Sequence, residues 1–310
     1  MDIANEFTGT LHVYIGQPSV WLLVFCYALL IGFCLIPLDA RRLCALSLAA
    51  VALCLAVIIL RPAVSEDLRL SVVDVGQGTG CTYQTADGRW LVFDTGPGAD
   101  TVAQYLRYCG TNTIAALVLS HSDLDHIGGT AHILRDFNVE KLLASPYAQT
   151  TDEWQALVPY LGDTEIISVN EPMTFRLGDA QLACDLLAAS EDGGENSNQV
   201  VARLEDDGLS TLFTGDTTAE SLDEIFWQQA TDLILVPHHG SKNSWDAAFY
   251  DTRQPSLALI SAGRNNRYGH PHAETTDGLS ALNIPTLCTA DSGAVRIYAQ
   301  NGALYYKTGP

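Results

Sequence analysis

The chain is short of positive charge. Its 310 residues carry 16 Lys and Arg against 36 Asp and Glu, a formal net charge of −20. Phosphate backbones are gripped mainly by Lys and Arg, so this balance excludes a broad electrostatic hold on nucleic acid. A local hold is left open. Between His238 and His270 stand Lys242, Arg253, Arg264 and Arg267 against only Asp246 and Asp251. Paired cysteine motifs are missing as well. None of the eight cysteines forms a CxxC, which excludes a zinc-finger pattern. Cys26, Cys34, Cys44 and Cys54 lie in apolar runs, where the side chain acts as a small apolar group. Cys81, Cys109, Cys184 and Cys288 are scattered, and no internal repeat stands out.

Charge is absent altogether from Phe7 to Leu38. Within that stretch Val20–Ile36 is almost wholly apolar, and after "PLDARR" a second apolar run covers Leu43–Leu60. Each is close to the roughly 18–20 residues that span a bilayer as helix. Together they predict a transmembrane helical hairpin over 1–64, with spans at about 20–36 and 43–60. A signal peptide would need a basic start and a small-residue cleavage site, and the first run has neither. Arg41 and Arg42 in the connecting loop lean cytoplasmic. This orientation predicts a multi-pass protein of the inner or plasma membrane with its large domain outside.

After the polar linker "RPAVSEDLR" the texture changes. Short apolar runs bounded by Gly, Asp and Thr read as strands, among them Leu68–Val75, Trp90–Asp94 and Ala115–Ser120. Helical stretches follow at Thr101–Tyr108, Gly129–Phe137, Ala219–Gln228, Trp245–Tyr250 and Ala273–Leu282. "EDGGENSNQ" (Glu191–Gln199) reads as a loop. The regularity is in where polar groups fall. Successive apolar runs stop at Asp74, at Asp94, at "SHSDLDHIGG" (Ser120–Gly129), at Asp216, at His238-His239 and before His270. Any one of these is an ordinary turn or cap. Six together predict one shared site along one edge of stacked sheets.

The chemistry of the Ser120–Gly129 stretch is that of metal ligation. On a tight loop His121, Asp123, Asp125 and His126 can converge on two ions, with Asp216 bridging. Imidazole suits Zn, and carboxylate suits Mn and Mg. Two such ions polarise a phosphoryl oxygen and activate water near neutral pH. "DVGQGTGC" could cradle phosphate, but GxG alone is weak. It is better read as a tight turn carrying Asp74 and Gln77 to the rim.

The series "DVGQG", "DTGP", "SHSDLDHIGG", "TGD", "VPHHGS" and "NRYGHP" resembles the metallo-β-lactamase fold, and within it the C-terminal domain of the ComEC-type DNA-uptake family. The likeness runs from about Leu68 to the C-terminus, and the apolar runs resemble that family's last membrane spans. It implies an αββα sandwich over 65–310, with His121 and Asp123 at a first ion, Asp125 and His126 at a second, Asp216 between them and His239 as a further ligand. It leaves His238 and His270 for catalytic contact beside Asp125, and Asp74, Gln77, Ser241, Lys242, Asn266 and Arg267 for substrate. Two departures stand out. Asp123 replaces the usual histidine, as is typical of the ComEC-type subgroup. The strand before "TGD" offers no histidine, only Asn198-Gln199, so the first site is poor in nitrogen. The implied cofactor is two divalent ions, Zn or Mn with Mg as a further candidate, the first site being the weaker.

The reading that follows is a membrane-tethered, metal-dependent phosphodiesterase, a DNase of competence-related DNA uptake, with DNA, the membrane and the remaining channel spans as partners. Two alternatives stay open: hydrolysis of another phosphoester, and a non-catalytic, metal-holding domain that binds DNA or docks the channel. Lactam hydrolysis is opposed by Asp123 and by the missing histidine.

Overall fold

The computed structural model describes residues 24–25, 27–28, 31, 39–60, 67–187, 198–225, 227–300 and 302–309. The chain divides into two units, 1–65 with 106–112 and 66–105 with 113–310.

In the first unit a helix runs over Ala40–Leu60. Asp39 starts it by accepting the Arg42 N–H at 3.0 Å, which satisfies one of the orphan donors of the first turn. Among the described residues no helix is long and apolar enough to cross a membrane. The expected first span lies largely outside the described residues, as do the side chains of 54–60 in the second.

The second unit is built on two sheets. Its strands in chain order are β1 (Leu68–Val72), β2 (Gly80–Gln84), β3 (Trp90–Thr95), β4 (Ala116–Val118), β5 (Lys141–Ala144), β6 (Glu165–Ser168), β7 (Met173–Leu177), β8 (Ala180–Leu187), β9 (Gln199–Asp206), β10 (Leu209–Phe213), β11 (Leu233–Leu235), β12 (Leu257–Ile260), β13 (Thr286–Cys288), β14 (Ala294–Gln300) and β15 (Ala303–Gly309). One sheet has the order β15-β14-β1-β2-β3-β4-β5-β6, and the other β13-β12-β11-β10-β9-β8-β7. In the first, β3, β4, β5 and β6 run parallel. In the second, β10, β11, β12 and β13 do. Parallel strands are covered on both faces, which is why β4 and β11 read as unbroken apolar runs rather than alternations.

The main core lies between the sheets. Leu70, Tyr83, Leu91 and Val118 of the first meet Leu182, Ala202, Phe213 and Leu235 of the second. The rings of Phe93 and Phe213 stack across the gap, centroids 3.5 Å apart and 8° from parallel. Outside the second sheet, Phe249 and Tyr250 of the helix Ala247–Arg253 and Leu279 of Ala273–Ala281 pack on Ile234, Ala258 and Ile260. Val102 of Thr101–Cys109 and Ile133 of Thr130–Asp136 are buried on the first-sheet side. The expected helix at Ala219–Gln228 is only Ala219–Leu222, because the chain then turns to bury Ile225 and Trp227. Of the expected loop Glu191–Gln199, residues 191–197 lie outside the described ones, and Gln199 already belongs to β9.

This topology positions the site. The carboxyl ends of the parallel strands in both sheets open on one edge: Asp94 stands near the end of β3, and the loops after β4, β10, β11 and β12 carry His121–His126, Asp216, His238-His239 and Ser261–His270. Binding groups outside the carboxyl ends of strands are the general arrangement of α/β sheets.

Candidate metal centre

The deepest residue of the cluster is His126, fully buried on the short helix Leu124–Ile127. Its Nδ1–H donates to Asp94 Oδ2 at 2.7 Å. That fixes the tautomer and turns Nε2 toward Asp216, whose Oδ1 is 3.1 Å away. His121 is set in the same way. The Ser120 hydroxyl donates to Asp94 Oδ2 at 2.7 Å, so its oxygen is left to accept from His121 Nδ1 at 2.9 Å. On the opposite wall His239 donates Nδ1–H to the Ser261 carbonyl at 2.9 Å, and its Nε2 faces Asp125 Oδ2 at 3.2 Å. All three imidazoles thus have Nδ1 engaged, the usual preparation of a metal-ligating histidine; Nε2 is unpartnered in His121 and His126 and meets the Asp125 carboxylate in His239.

The donor atoms form two overlapping sets. His121, His126 and Asp216 lie within 4.8 Å of one another, and so do Asp125, His126 and His239. The buried Nε2 atoms of His121 and His126 and Oδ1 of Asp216 make no hydrogen bond. The close approach of His126 to Asp216 is therefore charge proximity rather than a formed hydrogen bond. Orphaned polar atoms are costly inside a protein, and three that converge fit a divalent cation. The electrostatics agree. Burial opposes a charge on His126, yet Asp216 and Asp94 hold its pKa well above the ordinary value. Burial likewise disfavours the Asp216 carboxylate, yet His126 and His239 hold its pKa well below the ordinary range. Positive charge is stabilised at this point, and a metal ion can replace the proton that otherwise supplies it.

Local backbone strain accompanies the donors. His238 has φ 51°, ψ 46° and His239 has φ 54°, ψ 23°. Asp94 and Asn198 are also at positive φ, 53° and 63°. Left-handed non-glycine residues cost free energy and cluster where the surrounding fold demands a special side-chain direction. Gly78 answers a close approach: at φ +137°, a Cβ there would stand 2.3 Å from the Asp125 carbonyl oxygen. The "DVGQGTGC" turn can therefore lie flat against the helix that carries Asp125.

Five of the six expected metal ligands come together: His121, Asp125, His126, Asp216 and His239. Asp123 joins neither set. It is 3.6 Å from His121 Nε2, with its side chain 41% exposed. His238 reaches Asp216 Oδ2 at 3.6 Å. Burial and the neighbouring histidines hold its pKa below the ordinary value, against the pull of Asp216. His270 completes a ring cluster, with centroids 5.6 Å from His238 and 6.0 Å from His239. Burial and the surrounding histidines push its pKa down to about 4.

The expected substrate contacts divide. Gln77 and Arg267 line an open cleft of about 670 Å³ beside Asp123 and Asp125. Asn266 also borders it, but its side chain ties a loop: Nδ2 donates to the carbonyls of Gly263 and His270, and Oδ1 accepts from the N–H groups of Tyr268 and His270. Ser241 is buried and its Oγ accepts from the Asn243 N–H, a capping role. Asp74 is exposed and accepts from the Gly76 N–H at 3.3 Å. Lys242 is exposed, and its backbone N–H donates to His272 Nδ1.

Three residues escape the sequence reading as members of the centre, Ser120, Ser261 and Gln199, and Asp94, one of the six strand-end groups, gains the role of orienting His126. Gln199 is buried at the place expected to lack a ligand, and its Oε1 accepts the Asp216 N–H at 3.2 Å. Asp94 carried a signal, an acid closing an apolar strand. The other three carried none.

With this geometry in place, the comparisons decide the family. The sequence profile of the metallo-beta-lactamase superfamily matches residues 77–264. The chain belongs to that superfamily. Among its superfamily relatives it is 27% identical over 319 residues to ComE operon protein 3 of Bacillus subtilis (strain 168), which covers 93% of this chain and 40% of the relative. It is 28% identical to Recombination protein 2 of Haemophilus influenzae, covering 81% of this chain and 31% of the relative. It is 27% identical to Competence protein ComA of Neisseria gonorrhoeae, covering 77% and 33%. The chain thus spans between about a third and two fifths of the length of these relatives. The metallo-beta-lactamase fold protein YhfI of Bacillus subtilis superposes with a TM-score of 0.50 at 14% identity, over 78% of this chain and all of that one, which shows the shared fold.

Proposed function

We propose that this chain is a metal-dependent phosphodiesterase that cuts DNA during uptake and is tethered to a membrane by its N-terminal apolar runs. The observation that carries the reading is the pair of overlapping donor sets, His121/His126/Asp216 and Asp125/His126/His239, of which Asp125 lines an open cleft bordered by Arg267. A donor set of imidazoles and carboxylates suits divalent ions of the Zn or Mn type. Bound there, such ions would polarise a phosphoryl oxygen and supply a nucleophilic water near neutral pH.

The chain's own residues do the rest. Asp94 and Ser120 hold His126 and His121 in the ligating tautomer. Asp216 would hold an ion together with His121 and His126, and its Oδ2 lies 3.7 Å from His239 Nε2 of the other set. His238 and His270 stand beside the donors, where they can contact a phosphoryl oxygen. Arg267 supplies exposed positive charge on an otherwise acidic rim. The names of the curated relatives, one a competence protein and one a recombination protein, support DNA as the substrate.

Membrane tethering rests on the two apolar runs and on Leu46, Leu48, Val51 and Leu53 of the helix Ala40–Leu60, each about half exposed or more. Exposed apolar side chains in such number call for an apolar partner. The arginine pair in the loop supports a large domain on the outer side.

The test is cleavage of DNA by the purified full chain with Mn²⁺. Hydrolysis that is lost in the Asp125→Ala/His126→Ala variant supports the proposal. DNA retardation without cleavage under any divalent ion favours a docking domain, and cleavage of small phosphodiesters alone favours another phosphoester.

A further inference from the structure

The cleft beside the donors has an apolar and aromatic side that neither metal ligation nor hydrolysis uses. Tyr268 is 48% exposed and Leu124 is 65% exposed, and both line the cleft with Asp123, Asp125, Gln77 and Arg267. An exposed ring on a loop is ordinary when the loop is loose. This one is fixed. Asn266 accepts the Tyr268 N–H at 3.1 Å and the His270 N–H at 3.0 Å, and it donates back to the Gly263 carbonyl at 2.9 Å. The Tyr268 ring lies nearly parallel to the His270 ring, 20° off with centroids 5.7 Å apart. The Arg267 guanidinium sits over the Tyr268 ring at 4.7 Å. On the facing wall Gln77 has its Oε1 held by the Gly263 N–H at 3.2 Å, while its buried Nε2 donates to nothing. The cleft therefore offers a pre-set aromatic plane and an exposed cation beside it, whose guanidinium also donates to the Tyr268 hydroxyl.

We propose that Tyr268 and Arg267 form the platform on which an unpaired base of a single DNA strand stacks at the mouth of the metal centre. The proposal rests on the phosphodiesterase reading for its choice of DNA. Every base has a π-face, and aromatic side chains that stack successive bases are the common device for holding single strands without reading their sequence. A duplex hides those faces inside its own stack, so the platform selects an unpaired strand or a frayed end. The base takes the position that the Arg267 guanidinium holds over the ring, and the guanidinium moves to the adjoining phosphate. Because Asp123 and Asp125 line the same cleft, a strand anchored on Tyr268 passes its next phosphate across the metal donors. Tyr268 is thus a positioning residue, and its fixed backbone lowers the ordering cost of binding.

The test uses the full chain in detergent and a 12-nucleotide single strand containing 2-aminopurine, whose fluorescence is quenched on stacking. Binding is measured in EDTA, so hydrolysis does not enter. The expected result is quenching with wild type and with Tyr268→Phe. Tyr268→Ala should show no quenching and a roughly 5- to 150-fold weaker affinity, the range found when a stacking aromatic is removed. The same strand annealed into a blunt duplex should bind at least tenfold more weakly. Unchanged affinity and quenching in Tyr268→Ala, failure of Tyr268→Phe to retain them, equal binding of the duplex, or no binding by wild type would each overturn the proposal. Loss of the phosphodiesterase reading shows separately, as absence of cleavage in Mn²⁺ while quenching in EDTA persists.

Discussion

The Asp94 carboxylate holds His126 from behind, with Oδ2 2.7 Å from Nδ1. The same oxygen accepts from the Ser120 hydroxyl at 2.7 Å, and Ser120 in turn sets His121. One buried acid therefore orients two donors. Asp94→Asn keeps the size and removes the charge. Outer partners of metal-ligating histidines are worth about 10–100-fold in metal affinity, and a loss of that size is expected in a calorimetric Mn²⁺ or Zn²⁺ titration. Asp123→Asn should lose less, because Asp123 lies outside both donor sets.

His238 has a left-handed backbone, which costs an L-residue about 1–2 kcal/mol. Glycine avoids that cost but loses more chain entropy. His238→Gly should therefore be at least as stable as His238→Ala, by up to about 1 kcal/mol, although both remove the same imidazole. Thermal melts of the two variants check this. A clearly less stable glycine variant would mean that the strain is not real.

Phe213 joins the two sheets by stacking on Phe93 directly below the site. Truncation to alanine should cost about 3–5 kcal/mol, the usual range for a buried phenylalanine. Urea unfolding followed by far-UV circular dichroism measures it.

A cation that binds only the folded chain raises its stability by mass action, about 2.7 kcal/mol at a hundred times Kd. The melting temperature should rise with added Mn²⁺ and fall back with EDTA. Asp125→Ala/His126→Ala should show no such rise, since it removes His126 from both sets.

Much of this was legible in the sequence. The parallel strands announced themselves as unbroken apolar runs, and the acids and histidines at their ends mark the site edge. Five of the six candidate ligands that this pattern and the family likeness point to lie close together in the structure. The rest was hidden for physical reasons. The alternation in β8 is blurred, because Ala180, Leu182 and Cys184 face the main core while Ala183 and Leu187 on the other face are apolar too and pack on the outer core. Ser120 acts on His121 through its hydroxyl, which no spacing rule marks, and Ser261 acts on His239 through its backbone carbonyl, which no side-chain pattern can mark. Asn266 and Ser241 look like substrate contacts because they are polar and near the motif, yet their side chains are consumed by their own loops. The doubt about a missing histidine before "TGD" was justified in composition. The place is filled by Gln199, which steadies Asp216 through its backbone N–H.

The most direct test of the account is the rate of cleavage of an end-labelled single-stranded DNA by the EDTA-stripped full chain as Mn²⁺ is titrated back. The account predicts no cleavage without metal, saturable cleavage with it, and none at any Mn²⁺ concentration in Asp125→Ala/His126→Ala. Absence of cleavage by wild type at every concentration of Mn²⁺, Mg²⁺ and Zn²⁺, or cleavage that survives in the double variant, would contradict it.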